Sequence, residues 1–307
     1  MDWQTEITAA QERIAGHIVP TPTLQTSAFG QDVALKLEQM QHTGSFKPRG
    51  AFNTLLASDV PKAGVVAASG GNHGAAVAFA AQKLGHRARI FVPEIAGPSK
   101  IELIKRTGAE LTVVPGEYAN ALELAEREAL ESGAMQIHAY DAPLTVVGQG
   151  TVMLEWEQQG LDADTVLIAV GGGGLIAGAL AWLGDRRKVV AVEPMTSCAL
   201  HAALDAGAPM DVPVSGVAAN ALGARRIGGI CFDLATSASV QSVLVSDSAI
   251  IDAQAALWQA HRQLVEPAGA TALAALMSGT YTPAEGERVA VLVCGGNIAP
   301  EPEIALR

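Results

Sequence analysis

One lysine, Lys47, stands in the stretch HTGSFKPRGA, whose other residues are mostly small, hydroxylated or glycine. A residue before proline is driven toward extended geometry, and Pro48 suits the first position of a helix, so the sequence predicts a helix through RGAFNTLLA with Lys47 at its cap. We expect the positive end of this helix and the neighbouring Arg49 to lower the pKa of Lys47. A neutral amine can capture an aldehyde as a Schiff base; the alternative is an ordinary solvated lysine near a helix start.

A glycine-rich loop, SGGNHG at residues 69–74, follows the apolar run VVAA and precedes AAVAFAAQKLG, which predicts a strand, a loop and a helix. Backbone N–H groups at the start of a helix can bind a carboxylate or a phosphate, and glycines let the ligand approach the main chain. The alternative is a tight turn with no ligand. That alternative explains the glycines but not the polar residues Ser69, Asn72 and His73 among them.

A second glycine loop, GGGGL at residues 171–175, also lies between a predicted strand and a predicted helix, and it could hold a phosphate group. A dinucleotide site is a serious alternative, because Glu193 follows at about the distance of a ribose-binding acid. The strict GxGxxG spacing fails, since positions 171, 173 and 176 are Gly, Gly and Ile. From this loop alone, a dinucleotide and a simple phosphate group both remain open.

The third loop is VLVCGGN, residues 291–297, in which Cys294 closes a predicted strand. A single cysteine at such a position is commonly a small buried hydrophobic residue. It takes part in chemistry only if the strand ends at the site.

Short apolar strands alternate with helices from about Val65 onward, and a second run of the same kind follows. This order predicts an α/β fold with two doubly wound parallel-sheet lobes. We expect the active site in the cleft between the lobes, because ligands of open sheets bind at the carboxyl ends of the strands. The predicted domains are a large one, residues 1–50 and 146–307, and a small one, residues 51–145. A break is predicted near residues 141–151, where Pro and Gly interrupt the pattern.

The composition limits the possible partners. With 31 acidic against 20 basic residues and a net charge of −11, nucleic acid and membrane surfaces are not expected, and a small soluble ligand is. Three widely spaced cysteines predict neither disulfides nor a zinc site and fit the cytoplasm, as does an N-terminus without the apolar core of a signal peptide. The uncharged segment 165–184 is interpreted as a strand and a helix rather than a membrane span, because four glycines interrupt it.

Five motifs in this order, TGSFKPRGA, SGGNHG, GGGGL, EPAGA and CGGN, resemble those of the fold type II pyridoxal phosphate enzymes, in particular the serine and threonine dehydratases. The resemblance extends over nearly the whole chain, from Thr21 to CGGN. It implies a fold similar to the tryptophan synthase β subunit, pyridoxal 5'-phosphate as the cofactor, an amino acid as the substrate, and a homodimer.

The resemblance also implies roles for individual residues. Lys47 would carry the cofactor as a Schiff base, Asn72 would hydrogen-bond its 3'-oxygen, and Phe46 would pack beside its ring. Cys294 would face the pyridine nitrogen, with Glu266 nearby. The phosphate would be held by Gly171, Gly172, Gly173, Gly174 and Leu175, and the substrate carboxylate by Ser69, Gly70, Gly71 and His73. A dinucleotide would leave several of these residues without a role.

The implied reaction is a β-elimination and deamination of L-threonine or L-serine, which gives 2-oxobutyrate or pyruvate and ammonia, with Lys47 removing the α-proton. A thiol with an ordinary pKa near 8.5 is not expected to keep the pyridine nitrogen protonated, and this favours elimination over transamination. The alternatives are a dehydratase of another β-hydroxy amino acid, such as hydroxyaspartate or a compatible-solute intermediate, a serine racemase, and a cofactor-binding protein without turnover.

Three positions depart from related enzymes. Racemases of the family carry a serine as a second base directly before GNH, where this chain has Gly70. Their cation site pairs a glutamate before proline with a later aspartate, whereas Glu193 is followed at that distance by Ala199, so no metal site is predicted. Related dehydratases carry an acid in place of Asn220, which leaves a cation contact or the choice of substrate open.

Overall fold

The computed structural model describes residues 1–69, 71–96, 98–116 and 118–298, so Gly70 lies outside the described residues. The strands in chain order are β1 (Thr23–Thr26), β2 (Val33–Leu37), β3 (Val65–Ala68), β4 (Ala88–Pro93), β5 (Glu110–Val114), β6 (Met135–Gln136), β7 (Thr165–Ala169), β8 (Lys188–Pro194), β9 (Gln241–Val245) and β10 (Val289–Val293). The helices are α1 (Trp3–Ile14), α2 (Lys47–Leu56), α3 (Asn72–Leu84), α4 (Pro98–Lys105), α5 (Tyr118–Ser132), α6 (Pro143–Gln158), α7 (Gly174–Leu183), α8 (Ala199–Ala206), α9 (Ala219–Leu222), α10 (Gly229–Ser237), α11 (Asp247–His261) and α12 (Pro267–Met277).

The larger sheet has the strand order β1-β2-β10-β7-β8-β9. Its neighbours pair in parallel except β1, which is antiparallel to β2. All residues of β7 and β10 are buried, as expected for parallel strands covered by helices, and α12 packs along β7 to β10. Because β7 and β10 are parallel, the loops that follow them leave the sheet at the same edge.

The smaller sheet has the strand order β5-β4-β3-β6, with every pair parallel. Successive side chains of a strand point to opposite faces. Accordingly Val65 and Ala67 join an apolar cluster with residues of α3, whereas Val66 and Ala68 join a second cluster with residues of α5. Helices therefore cover both faces of this sheet. The predicted α/β fold with two parallel-sheet lobes is confirmed.

Helices α2 and α6 connect the two sheets. The boundary between the lobes predicted near residues 141–151 stays a prediction, but Pro and Gly do not interrupt regular structure there, because α6 begins at Pro143 and continues past residue 151. Pro143 lies in the first turn, where a backbone N–H is not needed. Gly148 lies where α6 touches α2: a Cβ there would approach the Arg49 carbonyl oxygen to 2.6 Å. This glycine permits backbone contact between the two connecting helices.

A buried group of four charges holds β2, α2 and α6 together. The Arg49 guanidinium donates to Glu38 through Nε and Nη2, both at 2.8 Å, and its Nη2 also lies 2.9 Å from Glu155 Oε2. Lys36 Nζ donates to Glu155 Oε1 at 2.6 Å. The four side chains are almost fully buried, and their charges balance. Removing one partner would leave an uncompensated charge in the core.

The interpretation of residues 165–184 as a strand and a helix is confirmed by β7 and α7. None of the helices among the described residues is both long and apolar enough to cross a membrane. Cys198, Cys231 and Cys294 are all free thiols.

We expect Arg49→Met to lower the free energy of unfolding by about 3–5 kcal/mol, because Glu38 and Glu155 lose their shared cation in the core. Arg127→Met is the matched control, since Arg127 pairs with Glu131 on an exposed helix face at 4.0 Å, and such pairs contribute about 0.3–0.5 kcal/mol. Urea unfolding at one protein concentration measures both. Equal losses in the two variants would show that the buried group does not stabilise the fold.

Candidate active site

Lys47 is the first residue of α2, and Phe46 is the N-cap, one residue before the predicted cap. The backbone is fixed against the end of β10, since Phe46 N donates to the Cys294 carbonyl oxygen at 3.2 Å. Lys47 Nζ donates to the Ala139 carbonyl oxygen at 2.8 Å and lies 5.1 Å from the centre of the Phe46 ring. The amine is therefore held between the ends of the two sheets.

The pKa of Lys47 is lowered to about 8, as the sequence predicts in direction. The cause differs from the prediction. The side chain is partly open by surface area but densely surrounded by protein atoms, and this desolvation is the first cause. Cys294 and Glu266 act in the opposite direction. The expectation that Arg49 lowers this pKa is wrong, because the charge of Arg49 is taken up by Glu38 and Glu155.

A chain of side-chain amides and one carboxylate lies next to this lysine. Asn72 Nδ2 donates to Glu266 Oε1 at 2.5 Å, and Asn72 Oδ1 accepts from Asn297 Nδ2 at 2.9 Å. Asn297 Nδ2 also donates to the Thr43 carbonyl oxygen at 2.7 Å. Asn297 closes the CGGN motif, and the sequence predicted no role for it. The bond to Glu266 uses one of two amide hydrogens of Asn72, which leaves the other for a ligand.

The glycine loop at residues 171–174 is enclosed on both sides. A Cβ on Gly172 would lie 2.2 Å from the Tyr140 ring, and one on Gly173 would lie 2.5 Å from Cys231 Sγ. Gly173 also has φ +93, which favours glycine. The first bond of α7 runs from Ala177 N to the Gly173 carbonyl oxygen, so the amides before it can bind an anion. Leu175 is buried in the core and could contribute only backbone atoms.

The SGGNHG loop opens α3 in the same way. Ser69 Oγ accepts from Gly71 N at 3.2 Å, and the first helical bond runs from Ala75 N to the Gly71 carbonyl oxygen. His73 is buried, and its Nε2 lies 3.0 Å from the Ile137 carbonyl oxygen, which requires a hydrogen on Nε2. Burial and then the Lys47 charge lower the pKa of His73 to about 3. The neutral ring is therefore bound to the Ile137 carbonyl group. His73 can bind a carboxylate through its backbone N–H.

Cys294 lies at the end of β10 with its thiol buried. Sγ donates to the Ala268 carbonyl oxygen at 3.3 Å. Burial, followed by the Glu266 charge, raises the pKa of this thiol, so Cys294 stays protonated. The strand does end at the site, which is the condition for a chemical role.

A small open cleft adjoins Cys294, through Ala268, and the amide chain. One wall comes from α9 and the residues before it, and the other from the start of α12 and the end of the CGGN motif. The lining residues are Val217, Ala218, Asn220, Ala221, Glu266, Pro267, Ala268 and Asn297. Its lining combines apolar side chains with Asn220, Glu266 and Asn297, so it offers both apolar surface and polar groups to a ligand.

The segment between β6 and α6, residues 137–141, was not predicted to belong to the site; we call it the 137–141 turn. It touches Lys47, the SGGNHG loop and the glycine loop. Its carbonyl groups accept from His73 and Lys47, and Tyr140 lies against the glycine loop. Asp141 accepts the first two amides of α10, Gly229 N and Ile230 N, both at 3.0 Å. The two contacts to His73 and Lys47 are made by backbone carbonyl groups, which leave no side-chain signal in a sequence.

Glu193 is bound to the start of α8. Its two carboxylate oxygens accept from Leu200 N at 2.9 Å and His201 N at 2.8 Å, so it binds the start of α8 rather than a ribose or a cation. Burial raises the pKa of Glu193 to about 7. Within the part of the chain that the structure describes, no group of three or more His, Cys, Asp or Glu side chains could hold a metal ion.

Comparisons with known proteins agree with this geometry. Residues 14–295 match the family profile described as pyridoxal-phosphate dependent enzyme. The chain is 33% identical to an L-threonine ammonia-lyase of Geobacter sulfurreducens, over 96% of this chain and 75% of that protein. It is 34% identical to a phenylserine dehydratase of Ralstonia pickettii, over 95% and 92%. Maize serine racemase superposes with a TM-score of 0.91 at 31% identity, covering 96% and 93%.

We expect the rate at which the apoprotein captures pyridoxal 5'-phosphate to rise with pH and level off above about 8, because the lowered pKa leaves Lys47 neutral there. Stopped-flow absorbance measures the rate. A solvated lysine derivative, with a pKa near 10.4, is the reference and corrects for ionisation of the aldehyde itself. A protein rate that follows the reference up to pH 10 would contradict the assignment.

We expect Gly172→Ala to weaken binding of pyridoxal 5'-phosphate by about 5- to 150-fold, because crowding against Tyr140 costs about 1–3 kcal/mol. Gly229→Ala is the matched control, since a Cβ there meets only Asp141 Oδ2 at 3.8 Å. Absorbance titration of each apoprotein gives the dissociation constant. Restored binding in the double variant Gly172→Ala, Tyr140→Ala would identify the clash as the cause; equal binding in Gly172→Ala and the wild type would exclude the loop as the phosphate site.

Proposed function

The chain belongs to the family of pyridoxal-phosphate dependent enzymes, and from this premise we propose that it is a dehydratase of L-threonine and L-serine. The products would be 2-oxobutyrate or pyruvate, with ammonia. Pyridoxal 5'-phosphate is the cofactor of the family. Relatives named phenylserine dehydratase and serine racemase are about as similar in sequence to this chain as the L-threonine ammonia-lyase is. The residues of the site must therefore indicate the substrate and the reaction.

The residues of the site fit this cofactor at each of its functional groups. Lys47 offers an amine for the aldehyde, and Phe46 would pack beside the ring. The enclosed glycines, Gly171 to Gly174, would hold the phosphate together with the backbone of Leu175. Asn72 has one amide hydrogen left for the 3'-oxygen, and Cys294 lies next to Ala268 on the cleft wall.

When bound, the cofactor supplies an electron sink for charge that develops at the α-carbon of an amino acid. The protonated thiol of Cys294 is too weak an acid to transfer its proton to the pyridine nitrogen. A sink without that proton is weaker, and a substrate with a leaving group at its β-carbon would eliminate that group. This favours dehydration over transamination.

The substrate carboxylate would be bound by the amides at the start of α3. Ser69, Gly71 and the backbone of His73 supply this loop, and Gly70 is the fourth residue that the motif implies. The low pKa of His73, about 3, keeps its ring neutral at every physiological pH. Orientation of the carboxylate by backbone amides would hold the α-hydrogen toward Lys47.

Lys47 would act as the general base at the α-carbon. Its amine is partly neutral near pH 7 because of its lowered pKa, and a base with a pKa near the working pH is efficient. The observation that carries the proposal is this desolvated amine, at the junction of the anion loops and the cleft.

The residue at position 70 argues against the alternative of racemisation. It needs a second base on the opposite face of the substrate, and Gly70 has no side chain to carry a proton. A dehydratase of another β-hydroxy amino acid is a variant of the same proposal. Phenylserine is one candidate substrate, because one relative is named a phenylserine dehydratase.

The experiment is to incubate the loaded enzyme with L-threonine, L-serine, phenylserine and hydroxyaspartate and to measure keto-acid release and D-serine. We expect keto acid from threonine or serine, and a loss of about 10²–10⁴-fold or more in Lys47→Ala. Dominant D-serine would favour a racemase, and a bound chromophore without any product would favour a binding protein. Persisting turnover in Lys47→Ala would contradict the proposal.

We also propose that the protein is a cytoplasmic homodimer. Three free thiols are compatible with a reducing compartment, and dimerisation follows from the family resemblance. Light scattering coupled to gel filtration tests the dimer, and fractionation of the source cells tests the location.

A further inference from the structure

The imidazole of His138 has an unusual local role within the 137–141 turn. Its Nδ1 accepts two backbone amides, Asp141 N at 2.8 Å and Tyr140 N at 3.3 Å. An atom that accepts two N–H groups carries no hydrogen, so the ring is neutral with its hydrogen on Nε2. The same pattern of bonds to following amides is common for Asn and Asp side chains, which stabilise turns in this way.

The residue inside this bonded turn is Ala139, whose carbonyl oxygen accepts from Lys47 Nζ at 2.8 Å. Both ends of the turn are anchored. Thr145 Oγ1 donates to the His138 carbonyl oxygen at 3.2 Å, and Asp141 caps α10. Since the ends are fixed, the two bonds to the imidazole set the direction in which the Ala139 carbonyl points.

We propose that His138 is a positioning residue for Lys47: its neutral ring fixes the turn so that the Ala139 carbonyl directs the lysine amine into the cleft, and protonation of the ring releases the amine. The proton would go onto Nδ1, which would then face two N–H donors and lose both hydrogen bonds. This inference rests on the proposed function only in taking Lys47 as the reactive amine.

The charged groups around His138 come from four elements. Lys47 of α2, His73 of α3 and Glu126 of α5 face it, and Asp141 and Tyr140 belong to its own segment. Burial is the first cause that lowers the pKa of His138, and Lys47 lowers it further, whereas Asp141 and Glu126 raise it. The net direction is downward. The turn is therefore intact at neutral pH and would be lost as the pH falls through this lowered pKa.

Substituting His138 with asparagine or with glutamine distinguishes the effect of the hydrogen bonds to the turn from the effect of side-chain size. In asparagine, Oδ1 occupies the place of Nδ1 on the same Cγ, accepts hydrogen bonds and cannot be protonated. In glutamine, the amide sits one carbon further out and cannot reach the two backbone amides in the same way. His138→Asn should therefore keep the turn at all pH values, and His138→Gln should not keep it at any pH.

The first measurement uses the apoprotein, so it does not depend on catalysis. We expect His138→Asn to capture pyridoxal 5'-phosphate at pH 8 at about the wild-type rate, and His138→Gln to be slower by about tenfold or more, because a reacting group misplaced by 1 Å can cost about 10²-fold. His261→Asn is the control, since that ring bonds Thr26 and packs on Phe29 elsewhere in the fold. Thermal unfolding of each variant shows whether the fold is kept.

The second measurement is the pH profile of the loaded enzyme, followed by the visible absorbance of the bound cofactor and by kcat and KM. We expect the wild type to lose activity toward acid pH more steeply than His138→Asn, in which only the limb set by Lys47 itself remains, and kcat to fall with KM retained in His138→Gln. Equal losses in the Asn and Gln variants, or an acid limb equally steep in the wild type and in His138→Asn, would overturn the inference.

Nitrogen NMR of histidine-labelled wild-type protein gives a test that needs no variant. We expect His138 to be neutral at pH 7 with its hydrogen on Nε2; a cation at pH 7, or a hydrogen on Nδ1, would overturn the inference. If no substrate yields keto acid, the proposed function fails while the capture rates and the NMR still decide the role of His138.

Discussion

The site depends on the removal of water from one amine. A solvated lysine with a pKa near 10.4 is almost entirely protonated at pH 7, and a pKa of about 8 raises the neutral fraction by about 10²-fold. Cys294 and Glu266 act against this shift, so burial alone supplies it. The surrounding protein must therefore keep Lys47 desolvated and still leave it a path into the cleft. The Ala139 carbonyl and the Phe46 ring satisfy the amine on its protein side.

Two lobes are needed because no single sheet offers all the groups. The larger sheet brings the glycine loop and Cys294 to one edge, and the smaller lobe brings the SGGNHG loop and the 137–141 turn. The turn joins them, since Tyr140 packs on the glycines and Asp141 caps α10 while the neighbouring carbonyls bind His73 and Lys47. On the other side of the lysine, the buried pairs of Arg49 fix α2 to α6. A movement of one lobe relative to the other would therefore change the position of the Lys47 amine.

Local patterns allowed the fold and the lowered pKa of Lys47 to be predicted, because the residues that form each strand, glycine loop and helix follow one another closely in the sequence. The role of Arg49 could not be predicted in this way. Its partners, Glu38 and Glu155, are 11 and 106 residues away, and only the fold brings them together. The glycines of α6 were misinterpreted as an interruption because their benefit, contact with α2, depends on a second helix. The contribution of Ala139 is a carbonyl oxygen, which any residue possesses, so no residue type could signal it.

The amide of Asn72 shows how neighbours outside the motifs set the chemistry of a motif residue. An isolated amide could turn either its oxygen or its nitrogen toward a ligand. Here Glu266 can only accept and takes a hydrogen from Nδ2, while Asn297 donates to Oδ1, so the two partners fix the amide in one orientation. The remaining hydrogen then makes the ligand side of Asn72 a donor, which suits an oxygen with negative charge. Replacing Asn297 by a residue without a donor would remove this constraint even though Asn72, the residue of the motif, stayed in place.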